Sequence, residues 1–170
     1  MQNILIEENG CYYLDCSKAI WSTDEINSIY KQAKLHLNDI DFVIETENIL
    51  ILVEYKNANI KQAVNPNAFN PSDNKRVEKI WRKYYDTLHY LALKNKTKPK
   101  HYVYILEYPN SDIVMRKRLR QRISNDLPFL LSEIFSLKIP MISSFDILSI
   151  EEWNEHHLYG NFPIIKVTSK

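Results

Sequence analysis

Glycine is scarce in this chain, with two residues in 170, and proline is limited to seven. Linkers and low-complexity segments are therefore not expected, and no internal repeat recurs at periods of about 20–50 residues. Long apolar runs are missing as well. No stretch approaches the roughly 18 residues that suggest a membrane span, and no basic-plus-apolar leader is visible. A cytoplasmic protein with no membrane partner is the expectation. Cysteine is limited to Cys11 and Cys16, whose spacing is not that of a zinc ribbon, so reduced structural thiols are expected.

What is present is an ordinary globular composition, 45% apolar, enough for one domain with a sizeable core. The net charge of +1 says nothing about partners, but its distribution does. Residues 1–60 carry 4 basic and 10 acidic groups, residues 61–122 carry 15 and 5, and residues 123–170 carry 3 and 6. A basic middle between acidic flanks is the pattern expected if one face follows a phosphate backbone.

The most informative stretch is Asp39 to Lys56, DIDFVIETENILILVEYK. Residues 41–45 and 49–53 are rich in Val, Ile, Leu and Phe, and Glu47-Asn48 supplies a two-residue turn, so the spacing predicts an antiparallel hairpin. That loop pairs positions whose numbers sum to 95, with Val43 opposite Leu52 and Asp41 opposite Glu54, and alternation leaves Lys56 on the same face. Like charges directly opposed destabilise a sheet. A divalent cation with oxygen ligands, such as Mg²⁺ held by one or two carboxylates and waters, would compensate. Lys56 would then lie where an ammonium stabilises phosphate charge or orients a water. The plainer alternative is a core strand pair with charged residues at its solvent end. About two acid-x-Lys tripeptides are expected here by chance, and two occur. Asp73-Asn74-Lys75 lies in a Pro/Asn-rich loop, whereas Glu54-Tyr55-Lys56 ends an apolar strand.

On Asp41 and Glu54-Tyr55-Lys56 the chain resembles the PD-(D/E)XK nuclease superfamily. Its signature is an Asp on one strand and, roughly ten to twenty residues on, Glu or Asp, any residue, and Lys on the next. The resemblance covers about residues 24–108, leaving 109–170 as a C-terminal extension packed on that core. It implies that Asp41 and Glu54 hold Mg²⁺, with Mn²⁺ as a substitute, and that Lys56 works with the attacking water or the scissile phosphate. Members often add an acid from the first helix, a position Glu25 fits, and some place a supporting Gln where Gln62 lies. Glu25 also completes a capping box with Ser22, which explains it without a metal. Ile40 stands where the family has Pro. The family's strand between the first helix and the Asp strand is not visible, because the helix pattern runs almost into Asp39. Either that strand lies elsewhere, at residues 11–15, or the helix is shorter than its pattern.

Along the chain, residues 3–7 and 11–15 flank Asn9-Gly10 and predict a hairpin. A helix follows from Ser22, with Ile26, Ile29, Tyr30, Ala33 and Leu37 as its stripe. Asn57–Asn74 is an Asn-rich loop with a short turn around Ile60–Val64. Residues 75–93 form a helix with Val77, Ile80, Trp81, Tyr84, Leu88 and Leu91 inward, while Lys75, Lys79, Arg82 and His89 line another face. Cations at a helix N-terminal half oppose its dipole and suggest a phosphate partner, although a solvated face explains them equally. His101–Tyr108 predicts a strand parallel to the second hairpin strand. The next helix carries Arg116, Lys117, Arg118, Arg120 and Arg122, a dense basic run fit to contact a nucleic-acid backbone. Asp126 should cap a core helix over Phe129–Leu137. A short strand at 140–143, a capping-box helix from Ser149 and a last strand at 162–167 complete the chain; His156 and His157 are discounted as a metal pair.

The expectation is an α/β domain with a mixed central sheet flanked by helices. The resemblance implies a Mg²⁺-dependent nuclease of restriction-endonuclease-like core, with DNA favoured over RNA, and allows a homodimer. The alternatives are an inactive nucleic-acid-binding module of the same fold, and an interaction protein without metal.

Overall fold

The structure is a computed structural model and describes residues 4–61 and 63–168. It opens with β1 (Ile4–Ile6) and β2 (Tyr12–Asp15), an antiparallel hairpin in which Leu5 faces Leu14. Gly10 takes the left-handed conformation that the turn requires, with φ of 68°. The Glu7 carboxylate accepts the N–H groups of Asn9 and Cys11 at 2.8 and 2.6 Å, closing the turn from inside.

β3 (Trp21–Thr23) leads into α1 (Ile26–Gln32), followed by β4 (Phe42–Glu45) and β5 (Leu50–Asn57). The β4–β5 register is the expected one: Val43 lies opposite Leu52 and Ile44 opposite Ile51. Thr46 makes the turn, its hydroxyl accepting the N–H of Ile49 at 3.1 Å. After β5 come a single 3₁₀ turn at Pro66–Ala68, α2 (Asn74–Leu93) and β6 (Lys100–Glu107). The end of the chain supplies α3 (Ile113–Ser124), α4 (Phe129–Ile134), β7 (Ser144–Leu148), α5 (Ile150–Glu155) and β8 (Ile164–Lys166).

Two sheets result. The larger is mixed, in the order β3-β4-β5-β6-β7, antiparallel through β5 and parallel from β5 to β7. The smaller is antiparallel, β1-β2-β8, with β8 at an edge. Alternation splits the large sheet's side chains between two cores. Val43, Leu50, Leu52, Tyr102 and Tyr104 pack under α1, α2 and α3. Ile44, Ile51, Val53, Val103 and Ile105 pack against the small sheet and Trp153 of α5. The chain is thus α/β, with mixed and antiparallel sheets flanked by helices.

Several local expectations need correction. Ser22 does not cap a helix; it is paired in β3 opposite Ile44. Glu25 is the N-cap of α1 but makes no side-chain cap bond, and Thr23 Oγ1 accepts its N–H instead, at 3.1 Å. α1 stops at Gln32 rather than running toward Asp39, because Lys34 turns left-handed and Asn38 is tied to the Asp86 carboxylate of α2 by its N–H at 2.8 Å. Of the two options for the missing strand, the helix is the one that is shorter than its pattern; among the described residues no strand lies between α1 and β4, and β2, at Tyr12–Asp15, belongs to the smaller sheet. α4 is capped at Pro128, not Asp126, and it is not a core helix: Leu130, Ile134 and Phe135 are exposed. A helix of six residues has one buried side, and here Ser132 occupies it. The strand placed at 140–143 begins at Ser144. The box at Ser149 and Glu152 is present as expected.

Leu52 is 0% exposed at the centre of the helix-side core and Leu130 is 65% exposed. Leu52→Ala should therefore cost about 2–5 kcal/mol and Leu130→Ala no more than about 0.5 kcal/mol, measured by urea unfolding.

Candidate active site

The hairpin delivers its acids as its register requires. The β4–β5 ladder ends at Phe42 opposite Val53, so Asp41 and Glu54 stand one step beyond it, on the face that carries Val43 and Leu52. Asp41 Oδ2 accepts the Tyr55 N–H at 2.7 Å, which fixes the carboxylate against the β5 backbone. Glu54 is buried, with 9% of its side chain exposed, while 34% of Asp41 is open. Lys56, two residues on, is exposed on the same face and lines the same cleft.

A residue that the sequence pattern did not single out completes the pair. Lys83 of α2 reaches down so that its Nζ donates to both Glu54 oxygens at 2.7 Å and lies 3.6 Å from Asp41 Oδ1. The ammonium provides the compensation that two opposed carboxylates demand. A signal for it existed: Arg76, Lys79, Ile80 and Lys83 follow i, i+3, i+4, i+7 spacing, and all four line the cleft. Of the expected row Lys75, Lys79, Arg82 and His89, Lys79 alone lines the cleft.

The charges respond to burial. Desolvation and the nearby Asp41 push the Glu54 carboxyl up to about 8, against the pull of Lys83. Desolvation also raises Asp41, opposed by Lys83 and the Tyr55 N–H. Burial alone would lower Lys83, but Glu54 and Asp41 hold it above its ordinary value.

The cleft over this pair has a volume of about 650 Å³. One side is α2, with Arg76 and Lys79. The other is built by the β1–β2 turn, the β3–α1 junction and the segment before β4, with Glu8, Asp24 and Asp39. Glu25 is exposed and does not line it; Asp24 beside it does. Gln62 lies outside the described residues. Lys75 is exposed but does not line the cleft, and Arg82 pairs with Glu78 at 2.7 Å on the surface.

The basic run of α3 is divided. Arg116 is buried, bound to Ser111 and Glu152 at 2.7 Å each. Arg120 Nε donates to the Phe145 carbonyl at 2.5 Å and pairs with Asp146 at 3.1 Å, while Arg122 donates to the Ser72 carbonyl at 2.5 Å and to Asn74. Lys117 and Arg118 are exposed. The run fit to contact a nucleic-acid backbone is thus partly engaged within the fold: α3 packs against β7 and α2, with Arg120 bound to β7, Arg122 to the start of α2 and Arg116 to α5.

Among the described residues no group of three or more His, Cys, Asp or Glu converges to hold a metal. The cation that Asp41 and Glu54 share is the Lys83 ammonium; by chemistry, two carboxylates with waters are also a donor set that Mg²⁺ accepts. No protein-family profile, curated protein or solved structure matched this chain.

Replacing Lys83 leaves Glu54 buried without its cation. In Lys83→Met the Glu54 carboxyl should rise further above its ordinary 4.5. The native state then holds a proton that the unfolded chain releases, so its advantage is full below that ordinary value and is lost as pH rises through the folded one. The wild type stops losing stability near pH 8, whereas the variant goes on losing it, so between pH 6 and pH 9 the variant should lose about 1.4 kcal/mol more than the wild type. Urea unfolding at the two pH values measures this, and a difference independent of pH would mean that Lys83 does not serve Glu54.

Proposed function

We propose that the chain is a metal-dependent nuclease with a restriction-endonuclease-like core, hydrolysing phosphodiester bonds of DNA at Asp41, Glu54 and Lys56. The pairing of Asp41 and Glu54 beside Lys56 in a cleft that Arg76 and Lys79 also line carries this proposal. The β5–α2–β6 crossover, with β5 and β6 parallel, supports the same core. DNA is preferred to RNA on the family resemblance alone.

In this proposal Asp41 and Glu54 hold Mg²⁺. When bound, Mg²⁺ supplies Lewis acidity and lowers the pKa of a bound water. Lys56 stands at the open side of the acid pair, where its ammonium meets a phosphate oxygen or orients a water. Lys83 sits on the closed side and neutralises whichever carboxylate charge remains uncompensated. Arg76 and Lys79 receive the phosphates that flank the scissile one. The Tyr55 N–H holds Asp41 in place throughout.

One observation favours a second reading, an inactive nucleic-acid-binding module of the same fold. Lys83 already gives Glu54 two charge-assisted hydrogen bonds, so the acid pair is satisfied without a metal.

Cleavage of a panel of supercoiled, linear, single-stranded and branched DNA and of RNA, with Mg²⁺ or Mn²⁺, separates the two. Metal-dependent activity should fall by about two orders of magnitude or more in Glu54→Gln and in Asp41→Asn. Wild type and variants that are equally inert would leave only the binding module. Mn²⁺ affinity gives an independent pH test, because a ligating carboxylate must be ionised. With Glu54 pushed up to about 8, affinity measured by calorimetry should rise about tenfold or more between pH 6.5 and 8.5. A flat profile would remove Glu54 from the ligand set.

A further inference from the structure

The two sides of the cleft differ in sign, and that difference bears on what enters. We propose that the site takes a single strand of nucleic acid and excludes a duplex. This proposal rests on the nuclease reading of the same cleft, and it specifies the form of the substrate.

Size is the first consideration. A cleft of about 650 Å³ lies within the roughly 300–1,000 Å³ of pockets that enclose a small ligand. Glu54 lies at its floor with only 9% of its side chain exposed, so a phosphate must enter the cleft to meet it. A strand already paired brings its complement to the mouth of the cleft with it.

Charge gives the second reason. Of the cations that line the cleft, Arg76 and Lys79 come from α2, with Lys83 already paired to Glu54, Lys56 comes from β5 and Lys31 from α1, whereas the acids Glu8, Asp24 and Asp39 come from the β1–β2 turn, the β3–α1 junction and the segment before β4. Duplex DNA carries one negative charge per about 1.7 Å over its two backbones. One backbone seated along α2 leaves the second facing carboxylates. A lone strand follows the basic side and turns its bases, which are uncharged, toward the acidic one.

At the basic rim the exposed Arg76 guanidinium, backed by the half-buried Phe69 ring, offers a plane to a base. The Arg76 guanidinium carbon lies 4.6 Å from the centroid of the Phe69 ring, and Arg76 is exposed. Unpaired bases stack on aromatic rings and on guanidinium planes, whereas bases inside a duplex are already stacked on each other. DNA and RNA strands share this chemistry, so the test includes both.

Fluorescence anisotropy with a labelled oligonucleotide, presented as single-stranded DNA, single-stranded RNA and blunt duplex in EDTA, reads binding without cleavage. The single strand should bind at least about tenfold tighter than the duplex. Arg76→Ala should weaken the single strand selectively. Glu8→Lys combined with Asp24→Lys, both at exposed positions, should tighten duplex binding about tenfold and narrow the gap. A duplex that binds as tightly as the strand, absence of binding to either form, or an unchanged gap in the charge-reversed variant would overturn the proposal. The nuclease reading fails separately. Cleavage that survives Glu54→Gln removes the catalytic assignment while the strand preference in EDTA stands, and Glu54-dependent cutting by a protein that shows no strand preference removes this inference alone.

Discussion

Asp41 and Glu54 face one another at the end of a hairpin, and much of the surrounding structure answers that juxtaposition. Opposed carboxylates repel, and burial of one of them raises the cost because water is not there to screen it. The fold meets the demand with the Tyr55 N–H, which fixes Asp41, and with Lys83, which is carried in from α2. Neither acid can escape by sliding. A shift of one residue along β5 would turn Leu52 and Leu50 away from the helix-side core and put Ile51 and Val53 in their place, exchanging the two cores of the sheet. The apolar pairs Val43–Leu52 and Ile44–Ile51 therefore hold the charged pair together. Packing energy maintains an arrangement that electrostatics alone would disperse.

How much of this was readable depended on how local its cause was. The register of the hairpin follows from a two-residue loop and period-2 alternation, both visible within about fifteen residues, and the Ser149 box and the Gly10 turn are equally local. The parallel placement of β6 follows from a strand, a twenty-residue helix and another strand, which leave little choice of topology. Failures came where a local pattern competed with a distant partner. Ser22 and Glu25 have the spacing of a capping box, but β4 offers Ser22 a place in the ladder, and strand pairing prevails. The stripe continuing past Gln32 looked helical until Asp86, far along the chain, claimed Asn38. Lys83 was hidden for a similar reason. Its function comes from Glu54, and only the packing of α2 on the sheet brings the two within 2.7 Å.

The same contrast governs the charge of the molecule. In sequence the chain is polarised, a basic middle between acidic ends, and that pattern suggested one extended basic face. Folding uses much of that polarity internally. Lys83 meets Glu54 and Asp41, Lys96 and Lys98 meet Glu45, Arg116 meets Glu152, and Arg120 meets Asp146. Each of these pairs joins a cation of residues 61–122 to an acid from a flank, so the charge separated along the chain is recombined across the sheet. Partly buried, these pairs bind elements together that are far apart in sequence, in the way Arg116 ties α3 to α5. What is left for a phosphate backbone is smaller than the sequence suggested. Lys117 and Arg118 are exposed on α3 and bound to nothing among the described residues, Arg120 and Arg122 are exposed but engaged, Lys75 is exposed outside the cleft, and Arg76 and Lys79 line the cleft from α2. Of these, Arg76 and Lys79 share a cleft with the acid pair. A net charge of +1 is compatible with such a site because attraction is needed along one side of one cleft, and the acids on its other side limit what that attraction can draw in.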